Sequence, residues 1–154
     1  MSSSAAVATY THLLEAWNRQ DAAGFAALFT PDGLAIGFDG STMDGPGEVE
    51  RQLADVIAHH RTAAYVAIVR SARAVGADTV LLHAAVGMVP PGGDAIDPAV
   101  NALQCALVVG DGEAARIALL QTTPAAFHGR PQLVERLTAE LTEALRKGAV
   151  VTAG

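Results

Sequence analysis

The order of elements along this chain predicts an α+β fold, in which a curved antiparallel sheet packs against three N-terminal helices and carries a further helix at its C-terminal end. Three observations support this. Apolar residues recur at helical spacing in the first part of the chain, four long strand-like segments joined by tight turns follow, and those segments are apolar on both faces. Leu81, His83 and Ala85 alternate with Leu82, Ala84 and Val86, and Ile117 and Leu119 alternate with Ala118 and Leu120. Both sides of such a sheet need cover. Three helices can cover one side, so the other is expected to meet a second copy of the chain, with the C-terminal helix contributing.

Each element follows from local signals. Val7, Tyr10, Leu14 and Trp17 share one helical face with Leu13 beside them, which predicts the opening helix. A second short helix carries Phe25, Leu28 and Phe29, with Asp21 placed to cap it and Pro31-Asp32-Gly33 placed to stop it. Residues 34–39 read as a short strand closed by Asp39-Gly40, and Gly45-Pro46-Gly47 resets the chain. Val49, Leu53, Val56 and Ile57 mark a third helix over residues 48–60, with His60 on the same face and His59 pointing elsewhere. Residues 63–75 and 79–89 form a predicted hairpin around Gly76-Ala77-Asp78. Pro90-Pro91-Gly92-Gly93-Asp94 opens a surface loop running to Pro98. Strands over 100–109 and 114–123 follow, joined at Gly110-Asp111-Gly112 and ended by Pro124. Pro131 then opens a helix striped by Leu133, Leu137, Leu141 and Leu145 and ended at Lys147-Gly148.

The 154 residues make a single domain, 1–154, whose ends, about 1–5 and 148–154, are expected to fray. Hydrophobic residues make up 51% and charged ones only 17%, and the apolar content is mostly alanine, valine and leucine, side chains that pack a scaffold or leave room inside it. Ten Lys and Arg face 16 Asp and Glu for a formal net charge of −6, with the bases scattered, so neither nucleic acid nor an acidic membrane is an expected partner. The one cysteine, Cys105, lies in an apolar run and reads as a small buried hydrophobe. No basic leader and no apolar stretch of about 20 residues is present, which places the expected location in the cytoplasm.

The Trp17-Asn18 and Asp21 step, the Phe29-Thr30-Pro31-Asp32-Gly33 run and the strand Ala115-Arg116-Ile117-Ala118-Leu119-Leu120-Gln121-Thr122-Thr123 together resemble the nuclear transport factor 2-like (NTF2-like) superfamily, in its SnoaL-like group, over almost the whole chain. The run from Arg116 to Thr123, followed by a leucine-rich helix, is most similar to the SgcJ/EcaC family of natural-product biosynthesis proteins. That resemblance implies a cystatin-like, cone-shaped α+β barrel with a deep hydrophobic pocket, usually dimeric and associated with polyketide or enediyne pathways. The sequence departs from the family pattern at Ala115, where tryptophan is usual, and at Thr122, where asparagine is usual.

Catalytic members of that superfamily use a buried carboxylate or histidine with tyrosine or tryptophan partners, and enolising a ketone needs a desolvated base plus a donor to the oxyanion. His60 is the best single candidate, its competing reading being a hydrogen-bonded histidine at a helix end. His83, mid-strand, faces the same choice. Gln121 and Thr123 are uncharged polar residues in an apolar strand, on one face with Ile117 and Leu119 by simple alternation, and each needs a partner in the interior, an interface or a ligand. Asn101 and Gln104 point to opposite sides, so at most one lines a cavity. Tyr10 and Tyr65 read as core or rim residues, and Asp39 as a turn carboxylate with general base as the minor reading. No spacing suits a metal, and no phosphate-loop, dinucleotide or nucleophile-elbow motif occurs, so neither metal nor cofactor is expected.

The leading expectation is a pocket for a small apolar, polyketide-like molecule among Trp17, Phe38, Met43, His60, His83, Gln121 and Thr123, in a homodimer that works beside other biosynthetic enzymes. A cyclase, isomerase or dehydratase with a buried His or Asp base, and a non-catalytic dimeric interaction module, are the alternatives.

Overall fold

A computed structural model describes residues 3–154. The elements run α1 (Ser3–Asn18), α2 (Ala22–Ala26), β1 (Phe29–Ile36), β2 (Thr42–Asp44), α3 (Pro46–His59), β3 (Ala64–Gly76), β4 (Thr79–Val89), β5 (Ala102–Val109), β6 (Arg116–Pro124), α4 (Pro131–Arg146) and β7 (Val151–Ala153). The seven strands form one sheet in the order β2-β1-β6-β5-β4-β3-β7. Its centre is the expected antiparallel meander β3 to β6, but the sheet is mixed, because β1 joins β6 and β7 joins β3 in parallel.

Asp21 caps α2 as expected, its Oδ1 accepting from the Gly24 N–H at 2.9 Å. The helix ends at Ala26, however, and Phe29 already pairs with Ile117. Pro31-Asp32-Gly33 therefore does not precede the first strand but bulges out of it: β1 pairs with β6 at Phe29 and resumes at Leu34, looping out the residues between. Gly33 sits so close to β6 that a Cβ there would lie 2.9 Å from the Ile117 carbonyl oxygen. The tail expected to fray at 148–154 instead supplies β7, with Ala67 donating to the Val150 carbonyl at 2.8 Å. Residues 3–5 likewise belong to α1, while 1–2 lie outside the described residues.

The sheet has two differently filled faces. On the inner face Leu82, Ala84, Ala106, Val108 and Ile117 join Tyr10, Leu13 and Leu14 of α1, Phe25 of α2 and Val49 and Leu53 of α3 in one core. On the outer face α4 lays Leu137, Leu141 and Ala144 over Val66 and Ile68 of β3 and Ala85 of β4. The long loop after β4 is less of a surface excursion than expected, since it tucks Ile96 into this second cluster. Cys105 is exposed on the outer face rather than buried, because β5 presents it opposite His83 and Gln121 while Gln104 and Ala106 turn inward.

Candidate functional site

Two consecutive residues fix the open end of the inner face. At the end of α1, Trp17 Nε1 donates to the Ala63 carbonyl at 2.9 Å. Asn18 imitates a strand edge toward β3: its Oδ1 accepts the Tyr65 N–H at 2.8 Å and its Nδ2 donates to the Tyr65 carbonyl at 3.1 Å. The Trp17 ring leans on Tyr65 at 5.2 Å between centroids and on Phe25 at 5.9 Å, both tilted by 59°. These bonds fix the end of α1 at the start of β3, while Tyr10, Leu13 and Leu14 pack its middle on the sheet.

A cavity of about 440 Å³ lies between the sheet, α1 and α3. Leu14, Trp17 and Phe25 form one wall, Gln52, Leu53 and Val56 of α3 another, and Ala35, Ile36, Tyr65, Met88 and Leu120 of the sheet a third. Phe38 and Met43, on and beside the β1–β2 turn, complete the rim. Phe38 and Val56 are each 41% exposed, so the mouth carries large apolar groups into solvent.

The floor is polar. Gln104, 1% exposed, accepts the Tyr10 hydroxyl on Oε1 at 2.5 Å and donates from Nε2 to Thr122 Oγ1 at 3.1 Å and to the Tyr65 hydroxyl at 3.5 Å. Burial raises the Tyr10 hydroxyl well above its ordinary value, with Tyr65 and Cys105 adding to the shift. Burial also pushes Tyr65 up to about 12, against a smaller lowering by its bond with Gln104. Both phenols are therefore neutral hydrogen-bonding groups at neutral pH. The carboxylates of the lining, Asp39 and Asp55, sit exposed at the rim. The Ser41 backbone N–H, then its side chain, hold Asp39 below the usual carboxylate range, which weakens it as a base.

The sequence-predicted residues separate. Trp17, Phe38 and Met43 line the cavity; His60, His83, Gln121 and Thr123 lie outside its lining. Helix α3 ends at His59, and His60 takes an extended conformation (φ −141°, ψ 149°) that carries it off the helical face and into solvent. His83 points to the outer face, paired with Ser71 and Cys105. Gln121 and Thr123 are exposed there too, because of one irregularity: Val108 pairs with Ile117 but Leu107 with Leu119, so Ala118 is an extra residue that inverts the alternation. Ile117 and Leu120 thus both face inward, and Thr122 takes the cavity position expected of its neighbours. Of Asn101 and Gln104, Gln104 lines the cavity, whereas buried Asn101 donates to Thr138 of α4 at 2.9 Å. Met88 and the α3 residues were missed, although their apolar spacing in the sequence was visible.

Among the described residues no helix is long and apolar enough to cross a membrane, and no group of three His, Cys, Asp or Glu could hold a metal. Residues 10–117 match the SnoaL-like domain. The chain belongs to the SnoaL-like domain family. Its fold is cystatin-like, or NTF2-like, as in a Nostoc punctiforme domain of unknown function with a cystatin-like fold, which is 23% identical over 94% of this chain and 90% of that one (TM-score 0.75). A putative dehydratase of the NTF2-like family from Streptomyces avermitilis is 17% identical over 80% of this chain and 95% of its own (TM-score 0.61). ActVI-ORFA from Streptomyces coelicolor is 16% identical over 79% and 96% (TM-score 0.63). No curated protein matches this SnoaL-like chain.

Proposed function

We propose that this SnoaL-like protein binds a small, largely apolar, polyketide-like molecule in the cavity over Gln104, as a component of secondary-metabolite biosynthesis alongside other biosynthetic enzymes. The single observation that carries the reading is the cavity itself, about 440 Å³, walled by Trp17, Phe25, Leu53, Met88 and Leu120 and rimmed by exposed Phe38 and Val56. That volume is in the range of small-molecule sites, typically about 300–1,000 Å³. The likeness of the segment from Arg116 to Thr123 to the SgcJ/EcaC family supports an enediyne or polyketide pathway as the setting.

The catalytic alternative, a cyclase, isomerase or dehydratase, needs a desolvated carboxylate or imidazole in the hollow. The lining carboxylates are solvated rim groups, so binding is the better supported reading. A second copy of the chain is the proposed protein partner. Helix α4 lies over β3 and β4, and farther along the outer face Leu107 and Leu119 stay partly exposed beside Cys105, Gln121 and Thr123.

Trp17 is the one tryptophan and stands in the cavity wall, so its fluorescence reports occupancy directly. Titration with the neutral apolar probe N-phenyl-1-naphthylamine is expected to quench Trp17 saturably at one site per chain. Ala35→Leu, which fills the cavity from β1, is expected to abolish that quenching while circular dichroism stays unchanged. Absence of saturable quenching in the wild type, or its survival in Ala35→Leu, overturns the binding reading. A monomeric mass in sedimentation overturns the dimer.

A further inference from the structure

The hydrogen bonds at the cavity floor leave two protons unspent. The 2.5 Å contact between Tyr10 and Gln104 belongs to the O–H···O range and is short for N–H···O, which orients the amide with Oε1 on Tyr10 and Nε2 toward Thr122 and Tyr65. Both protons of Nε2 are then taken, one by Thr122 Oγ1 and one by the Tyr65 hydroxyl. Thr122 and Tyr65 each accept from this nitrogen, and neither hydroxyl donates to any described protein atom. Both residues line the cavity, and Gln104 Nε2 ties their two hydroxyls together at its floor.

We infer that Tyr65 and Thr122, organised by Gln104, form a paired-donor subsite for the carbonyl oxygen of a neutral, otherwise apolar ligand, such as a ketone, quinone or lactone. A carbonyl oxygen has two lone pairs and no proton, so it can accept from both hydroxyls at once. An ammonium group, which can only donate, would leave both hydroxyl protons without an acceptor. A carboxylate would enter a lining without lysine or arginine, past Asp39 and Asp55 at the rim, so the ligand is neutral at this end. Threonine at position 122 supplies a hydroxyl donor that Gln104 holds in place.

This inference rests on the binding reading, and its test separates the two. Equilibrium dialysis compares 1-tetralone with tetralin, which share a bicyclic skeleton and differ by the ketone. The wild type is expected to prefer 1-tetralone by about tenfold or more, the worth of one to two neutral hydrogen bonds. Thr122→Val combined with Tyr65→Phe is expected to bring the preference close to unity with tetralin affinity retained, and Thr122→Ser, which keeps the hydroxyl, is expected to preserve it. Equal binding of both compounds by the wild type overturns the subsite and leaves the pocket standing. An undiminished preference in the Thr122→Val single variant, the fallback should the double variant not fold, also overturns it. Binding of neither compound removes the pocket reading together with the subsite.

Discussion

Helices cover both faces of this sheet, yet α1, apolar around much of its circumference, borders a hollow, whereas α4, sharply amphipathic, seats closely on its strands. Under α4 the fit is close. Leu141 is fully buried, and a Cβ added to Gly87 on β4 would lie 2.8 Å from its Cδ1 and 3.3 Å from Ile96. Glycine at this point lets the helix descend onto the strand. On the inner face α1 is seated by Ala6, Tyr10, Leu13 and Leu14 and tied at its end by the Trp17 and Asn18 bonds to the start of β3, and α3 is held by Val49 and Leu53 in its first half. The strands beneath present Ala35 and Thr122 where larger side chains would have filled the space. A hollow thus persists at the open end of the inner face, between the end of α1 and α3 and over Ala35 and Thr122, while α4 closes on its strand where Gly87 lets it descend.

Variants can break that contrast, and the largest effect is expected on the filled face. Leu141→Ala should cost about 2–5 kcal/mol, because the seat formed by Gly87 and Ile96 cannot collapse onto the void. Denaturant midpoints measure this loss, and quenching of Trp17 by N-phenyl-1-naphthylamine in the folded protein should be unchanged. Weakened quenching with stability intact would show that the two faces are not independent.

Next comes alkali, which attacks the inner face. Tyr10 and Tyr65 are the only tyrosines, and both have raised pKa values, Tyr65 from 10.0 to about 12. The unfolded chain loses its phenolic protons first, so the stability these groups lend is complete below about pH 10 and falls as pH rises, for Tyr65 by up to about 1.4 kcal/mol per pH unit until about pH 12, with Tyr10 acting in the same direction. Tyrosinate absorbance should therefore appear together with loss of circular dichroism, as one transition. Ionisation of one tyrosine well before unfolding would mean that its hydroxyl is solvated. In Leu141→Ala, with less stability in reserve, the transition should move to lower pH.

Much of this architecture was legible, for reasons that differ by element. The strand predicted over 79–89 and the leucine stripe of α4 match because long periodic segments between strong turn signals have one reading. β7 was not legible, since three residues acquire strand character only by pairing with β3, far away in sequence. The cavity was legible in part. Trp17, Phe38 and Met43 sit near the helix and turn signals that place them, whereas Thr122 depends on the bulge at Ala118, which no residue type announces. His60 misleads because helical periodicity was extended one residue past the point where the backbone leaves the helix. Cys105 misleads because a strand apolar on both faces gives no sign of which face α4 covers.

The smallest expected effect tests whether α4 depends on charge as well as on its seat. Arg70 of β3 holds Glu140 of α4 through two bonds of 2.9 Å, and the arginine, foremost, keeps the Glu140 carboxyl below its ordinary 4.5. Their side chains are 31% and 42% exposed, so water screens the pair, and Glu140→Gln should cost about 0.2–1 kcal/mol near neutral pH. A depressed carboxyl stabilises the fold above its unfolded pKa and loses that contribution as pH falls through the folded value. The wild type and Glu140→Gln should therefore differ least in acid, and their gap at neutral pH should shrink in high salt. Denaturant midpoints across pH and salt measure this. A gap of several kcal/mol, or one indifferent to both, would mean that Glu140 supports α4 by packing, and the outer face would then rest on more than the apolar contact between Leu141, Ile96 and Gly87.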